Sequence, residues 1–254
     1  MKKPISSNGL KTPRLVRVIP NAITITALCT GLSSIRFALI EQWEFAVSLI
    51  LIAAILDALD GRIARFLRAD SPFGAELDSL SDFISFGVAP AVVLYLYSLY
   101  LWKGTGWALA LFYSTCMALR LARFNTNIGA STPDWAKRFS VGVPAPAGAV
   151  IGLLPLMLSF AFEESFQNYP FLFAISLLTS GLLMISRIPT FIIKNVPIPH
   201  HYVRLLLMFV AIFMAALFSA PWWILSLGGI LYLVSIPTSL MSYHRQKSAV
   251  QEKK

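Results

Sequence analysis

The chain has 254 residues, of which 57% are hydrophobic and 13% charged, about half the charged share of soluble domains. So few charges cannot clothe a fold of this length in polar surface, and apolar runs recur throughout, which excludes a water-soluble globule and predicts a polytopic membrane protein. The net charge of +9, from 21 Lys and Arg against 12 Asp and Glu, does not mark a nucleic-acid partner, because the basic residues stand between apolar runs and form no aromatic-lined patch.

The chain opens with a basic cytoplasmic segment, residues 1–18, holding Lys2, Lys3, Lys11, Arg14 and Arg17. Apolar sequence begins at Ile19, and because many further apolar runs follow, the first reads as a retained anchor and not as a cleaved leader. KTPRLVRVIPN at 11–21 mixes basic and apolar residues in a way that permits a surface helix. Stretches near 20 residues long then predict eight transmembrane helices, at about 20–40, 45–66, 76–100, 105–124, 142–162, 169–187, 203–219 and 221–240. Ala220 and Pro221 alone part the last two, which demands a tight hairpin; one bent helix there, giving seven spans, is the competing reading. Pro20-Asn21 opens the first span, Ser71-Pro72 breaks the chain after the second, and Pro189 ends the sixth. IPTFIIKNVPIPHHY at 188–202 is too broken by proline for a span and reads as an inner loop. The expected fold class is all-α: one bundle of about eight transmembrane helices over 19–242, with a cytoplasmic tail at 243–254.

With eight spans and the N-terminus inside, every Lys and Arg except Arg36 and Lys103 falls on the inner side, while Glu41, Glu44, Glu163 and Glu164 occupy outer turns. Both termini are therefore expected in the cytoplasm, with the cationic side chains facing anionic lipid headgroups and anionic substrates. Cys29 and Cys116 lie inside apolar segments and supply neither a disulfide framework nor metal-ligand spacing.

Four acids are costly. Asp57 and Asp60 stand towards the inner end of the second span, Asp78 and Asp82 near the inner start of the third. The i,i+3 and i,i+4 spacings put each pair on one helix face, and a short connection brings the two helix ends to the same depth. One charge at membrane depth costs about 2.5–3.5 kcal/mol on the insertion scale, and four like charges also repel one another. Carboxylate oxygens with no His or Cys beside them suit a hard divalent ion, Mg²⁺, Mn²⁺ or Ca²⁺, as one ion or two. Pairing with Arg62, Arg65 and Arg68 is the plainer reading, but it leaves the neighbouring small residues unexplained. Asp57, Gly61 and Ala64 fall within about 60° on one face, with Arg65 one turn further on to clamp a phosphate. Gly74 precedes Asp78 by four. Glycine in lipid also serves close helix packing; room for a ligand is preferred here because Gly61 and Gly74 each lie within a turn of a carboxylate.

The spacing D-x-x-D-G-x-x-A-R, eight residues, G-x-x-x-D-x-x-x-D, from Asp57 to Asp82, resembles the signature of the CDP-alcohol phosphotransferases, and all of its fixed positions are filled. The resemblance implies a six-helix transferase core, commonly homodimeric. It makes Asp57, Asp60 and Asp78 metal ligands and Asp82 a general base that also touches the metal. Asp57, Gly61, Ala64, Arg65 and Gly74 then correspond to positions receiving the CDP moiety and its diphosphate. VIPNAITITALCTGLSSI at 18–35, Arg120-Leu121-Ala122-Arg123-Phe124-Asn125 and Phe139–Pro146 are further similar to bacterial and archaeal phosphatidylserine synthases, with Val143 where that group usually has leucine. That likeness implies CDP-diacylglycerol and L-serine as substrates and CMP as a product.

A serine carboxylate needs a cation in a site rich in carboxylates. Arg120 and Arg123 are candidates, with Arg187, Lys194 and Arg204 further ones, for serine or for the lipid phosphate; each is also readable as an inner-face anchor reaching to headgroups. Asn125 either bonds a substrate or caps the span, and Phe139–Pro146 either shapes the acceptor pocket or starts a helix. Asp82 would take the serine proton during direct attack on phosphorus. Ser81 and Ser85 remain candidate donors to substrate, and no Ser, His or Cys nucleophile stands at the cluster. Sister enzymes using glycerol-3-phosphate, inositol phosphate or choline share the same cluster. A transporter is the rival from another class, disfavoured because all four acids lie near one membrane face and not at the midplane.

Overall fold

The computed structural model describes residues 18–69, 71–126, 139–191 and 203–251. Its helices are α1 (Val18–Leu39), α2 (Trp43–Leu67), α3 (Pro72–Asp82), α4 (Ala89–Tyr97), α5 (Lys103–Thr126), α6 (Ala145–Ala161), α7 (Pro170–Ile185), α8 (Val203–Ser219) and α9 (Pro221–Gln251). Two short strands, β1 (Phe139–Val141) and β2 (Pro189–Phe191), pair antiparallel with Ser140 opposite Thr190, a small exception to the expected all-α fold. β2 lies inside the stretch read as a loop; residues 192–202, with Lys194, fall outside the described residues, as do the basic segment before α1 and the last three residues.

The expectation of eight transmembrane helices is corrected. Among the described residues, three helices are long and apolar enough to cross a membrane: Val18–Leu39, Pro72–Tyr97 and Pro221–Tyr243. Hydropathy windows join helices to their turns and caps. α6, α7 and α8 have 17, 16 and 17 residues, short of a span. α2 and α5 reach 25 and 24 residues but carry charge, Asp57, Asp60, Arg62 and Arg65 in the second half of α2 and Lys103, Arg120 and Arg123 at the two ends of α5. With its three spans the chain is a multi-pass membrane protein.

The connection that sets the depth of the aspartates is built from end-capping residues. α2 stops where Arg68 turns left-handed at φ 50°, its N–H and that of Ala69 returning to Arg65 and Ala64 carbonyls. Ser71 then caps α3, its hydroxyl accepting from the Gly74 N–H at 3.0 Å, with Pro72 as the first helical residue. α3, a π-helical turn at Phe83–Val88 and α4 run on as one helix of 26 residues. Pro90 has no N–H to offer the Phe86 carbonyl one turn back. The Tyr113 hydroxyl of α5 donates to it instead at 2.8 Å, and Ser114 donates to Gly87 O at 3.1 Å.

α1 packs along α2 and crosses α3 and α4. At Gly31 the helices touch so closely that an added methyl would stand 2.8 Å from Ser85 Cα. On the other side α5, α6 and α7 enclose Tyr113, Met117, Leu153, Leu156, Met157, Phe173, Leu177 and Met184, all fully buried. Hydroxyls fasten the α6–α7 contact: Ser176 donates to Gly152 O at 2.9 Å and Ser180 to Gly148 O at 2.6 Å, as small residues allow in lipid. α9 lies on α6 and β2, and α8 leans on α9.

Candidate active site

The α2–α3 hairpin brings carboxylate oxygens of Asp57, Asp60 and Asp78 to within 4.8 Å of one another. Asp60 is 4% exposed and accepts a hydrogen bond of 2.6 Å from Thr24 Oγ1 on α1. Thr24 is drawn into place by its own helix, where its hydroxyl also lies 3.0 Å from Pro20 O. Asp57 lies against both Asp78 and Asp82. Asp82 stands outside the triad, and its Oδ1 is buried with no hydrogen-bond partner. An orphaned carboxylate oxygen beside three clustered carboxylates concentrates like charge that a bound cation would neutralise. The donor set is all oxygen, so the residues fit a hard divalent ion.

Two cavities meet at this cluster. The first is lined by Pro20, Asn21 and Thr24 of α1 together with Gly61, Ala64, Ala69, Ser71, Gly74 and Ala75. Its walls are small because they must be: a methyl on Gly74 would stand 3.0 Å from Asn21 Oδ1. Gly61 has nothing within 4 Å of where a side chain would begin, so its missing Cβ is open space belonging to the cavity. The second cavity is lined by Asp57, Arg65, Ser79, Asp82, Arg120, Leu121, Phe124 and Pro144–Pro146. Asp60, Gly61 and Asp78 line both, forming a shared wall.

The two arginines of α5 part company here. Arg120 lines the second cavity and spends Nε on Val143 O at 2.7 Å. Arg123 turns to the protein: Nη1 donates to Ile185 O at 2.6 Å, and Nη2 lies 3.2 Å from Met184 O and Ser186 O and 3.3 Å from Val141 O. It caps the C-terminus of α7 and anchors β1. Gly142, at φ 81°, makes this possible, since a Cβ there would stand 2.6 Å from Met184 O and 3.1 Å from Arg123 Nη2. Asn125 bonds Ser79, its Nδ2 donating to Ser79 Oγ at 3.0 Å, and so ties the end of α5 to α3. Arg187 is exposed after α7 and lines neither cavity. The Arg204 side chain is outside the described residues. Ser81 and Ser85 donate to Thr24 O and Ala27 O on α1 and face away from the cluster.

Asn21 and Thr24 were not legible as cavity residues, because nothing in local spacing says that α1 crosses α2 at Asp60. Pro144–Pro146 line the second cavity and also start α6, with Pro144 as its N-cap.

The sequence has counterparts among known proteins. The family model described as CDP-alcohol phosphatidyltransferase matches residues 17–188. The chain belongs to the CDP-alcohol phosphatidyltransferase family. A second model, CDP-alcohol phosphatidyltransferase 2, matches residues 201–237, so α8 and most of α9 resemble family members too. Three relatives share the printed name CDP-diacylglycerol–serine O-phosphatidyltransferase. The protein of Mycobacterium leprae is 43% identical over 235 residues, 91% of this chain and 76% of the relative. That of Helicobacter pylori strain 26695 is 36% identical over 220 residues, 85% and 88%. That of Methanocaldococcus jannaschii is 37% identical over 178 residues, 69% and 74%. This phosphatidyltransferase thus has relatives in both bacteria and archaea.

Proposed function

We propose that the chain transfers the phosphatidyl group of CDP-diacylglycerol to L-serine, giving phosphatidylserine and CMP. The observation that carries this is the triad Asp57, Asp60 and Asp78, of which Asp60 and Asp78 stand in the wall shared by two cavities and Asp57 lines the second; the choice of acceptor rests on the names of the relatives.

The first cavity takes the CDP part of the donor, where Gly61, Ala64 and Gly74 leave room and Asn21 offers an amide. Arg65, opening on the second cavity, meets the diphosphate. Asp57, Asp60 and Asp78, with Asp82 beside them, hold Mg²⁺ or Mn²⁺, one ion or two. When bound, that metal neutralises the diphosphate and makes CMP a better leaving group. Serine occupies the second cavity, its carboxylate on the free terminal nitrogens of Arg120. Asp82 takes the proton of the serine hydroxyl as its oxygen bonds to the β-phosphorus. The bond from phosphorus to the oxygen bridging to CMP breaks, and CMP leaves with that electron pair. No covalent enzyme intermediate is needed: Ser81 and Ser85 face α1, and Ser79 is held by Asn125.

The site-bearing end faces the cytoplasm. Arg62, Arg65, Arg68, Arg120 and Arg123 gather there, as the inner-face bias of basic residues requires. Pro20 at the start of α1 lines the first cavity, and Tyr232, the twelfth of the 31 residues of α9, lies near Arg120. The start of α1 accordingly belongs to the cytoplasmic side, facing anionic lipid headgroups, with 1–18 before and 243–254 after a single transmembrane catalytic domain. A homodimer completes the proposal, on the family resemblance alone.

An acceptor screen tests the function. Purified protein in mixed micelles receives CDP-diacylglycerol, Mg²⁺ or Mn²⁺, and serine, glycerol-3-phosphate, inositol phosphate or choline separately. CMP release with serine alone, together with a serine-containing lipid product, is the expected result. Turnover with another alcohol overturns the acceptor, and no CMP with any of them overturns the reaction.

A further inference from the structure

Arg120 is held by something behind it. Its Nε bond to Val143 O fixes one edge of the guanidinium. The neighbouring Gly142 carbonyl is itself held, accepting from Thr190 Oγ1 of β2 at 3.0 Å, and Thr190 is 1% exposed. Next in line stands Tyr232, from α9. Its hydroxyl is buried, completes no hydrogen bond, and lies beside Thr190 within electrostatic reach of Arg120. Buried phenols ordinarily find a partner, and a donor left unspent in a closed space is costly. Here the Thr190 oxygen, already donating its own hydrogen, still has lone pairs to accept. Tyr232 also lines neither cavity, so it acts through its neighbours and not on substrate.

We propose that Tyr232 is a positioning residue for acceptor recognition: with the acceptor bound its hydroxyl donates to Thr190 Oγ1, and through Thr190 and the Gly142–Val143 backbone it sets the Arg120 guanidinium in the plane that receives the acceptor's carboxylate. This rests on serine being the acceptor and extends that reading to a helix outside the eight-position motif. α9 thereby gains a role in selecting the acceptor, and the paired strands β1 and β2 become the link that carries it. A chain of hydrogen bonds is well suited to this, since a planar fork must be aimed as well as charged.

The test is Tyr232→Phe, which keeps the ring and removes only the hydroxyl. Loss of one such hydrogen bond corresponds to about a fivefold rise in the serine KM, with the CDP-diacylglycerol KM and kcat unchanged. L-serinamide, which lacks the charged carboxylate, should be used equally by the variant and the parent. Thr190→Val should raise the serine KM similarly, Thr190→Ser should restore it, and the Tyr232→Phe, Thr190→Val double variant should cost no more than either alone. A wild-type serine KM in Tyr232→Phe overturns the proposal, as does a fall in kcat with both KM values displaced. Should Tyr232→Phe fail to fold, the Thr190→Val and Thr190→Ser pair decides by the same readout. If the parent protein does not use serine, the function fails; if it does and these variants behave as the parent, only the role of Tyr232 fails.

Discussion

Thr24 and Asp60, on different helices and 36 residues apart, share a hydrogen bond of 2.6 Å between side-chain oxygens. One hydroxyl of α1 thus orients a carboxylate of the α2–α3 cluster. A bond to an ionised group is worth about 1.5–3 kcal/mol, and loss of such a support to a metal ligand costs about tenfold or more in metal affinity or activity. Thr24→Val, close in shape, is expected to lower CMP release by about tenfold and to raise the Mg²⁺ concentration needed for half-maximal rate. Thr24→Ser, which keeps the hydroxyl, should behave as the parent.

Gly31 and Gly61 predict opposite outcomes for the same substitution. Gly31→Ala drives a methyl against the backbone at Ser85 and should cost about 1–3 kcal/mol of stability, visible as a lowered thermal midpoint. Gly61→Ala meets nothing and gains helix propensity of about 1 kcal/mol. It should fold as well as the parent while losing CMP release, because the methyl projects into space that both cavities share.

Arg120 and Arg123 separate in the same way. Arg123→Gln orphans carbonyls at the end of α7 and in β1, so it should lower stability by about 3 kcal/mol and reduce all activity in proportion to folded protein. Arg120→Gln loses one bond to Val143 O and should leave a folded enzyme whose serine KM rises at least tenfold. Thermal unfolding and steady-state kinetics on the two purified variants distinguish these effects.

Metal removal should show in the fold as well as the rate. Chelation leaves Asp57, Asp60 and Asp78 facing one another without a counter-charge. The thermal midpoint is then expected to fall, and to rise with Mg²⁺ or Mn²⁺ as a ligand binding only the folded state requires, by about 2.7 kcal/mol at a hundredfold excess over Kd. Asp78→Asn should abolish that rise and lower turnover by about a hundredfold or more. A midpoint indifferent to metal would argue against a cation at the cluster.

What the sequence disclosed was what local spacing encodes. Asp57, Asp60 and Asp78 were readable as a group because two helix faces and a short connection fix their meeting. The span count was not, because a hydropathy window cannot distinguish a 16-residue helix with its apolar turn from a full crossing, as at α7. Arg120 and Arg123 look alike in the sequence, three residues apart on one helix; only the placing of Val143 and the α7 terminus divides them. β1 and β2 were equally hidden, since three-residue strands paired across some 50 positions leave no periodic trace.

The wall of Asp60, Gly61 and Asp78 belongs to both cavities, and neither occupant needs the other to depart before it arrives. On the proposed placement, donor and acceptor are expected to coexist in a ternary complex. Double-reciprocal plots against the two substrates should intersect, not run parallel, and labelled CMP should exchange into CDP-diacylglycerol only when phosphatidylserine is supplied.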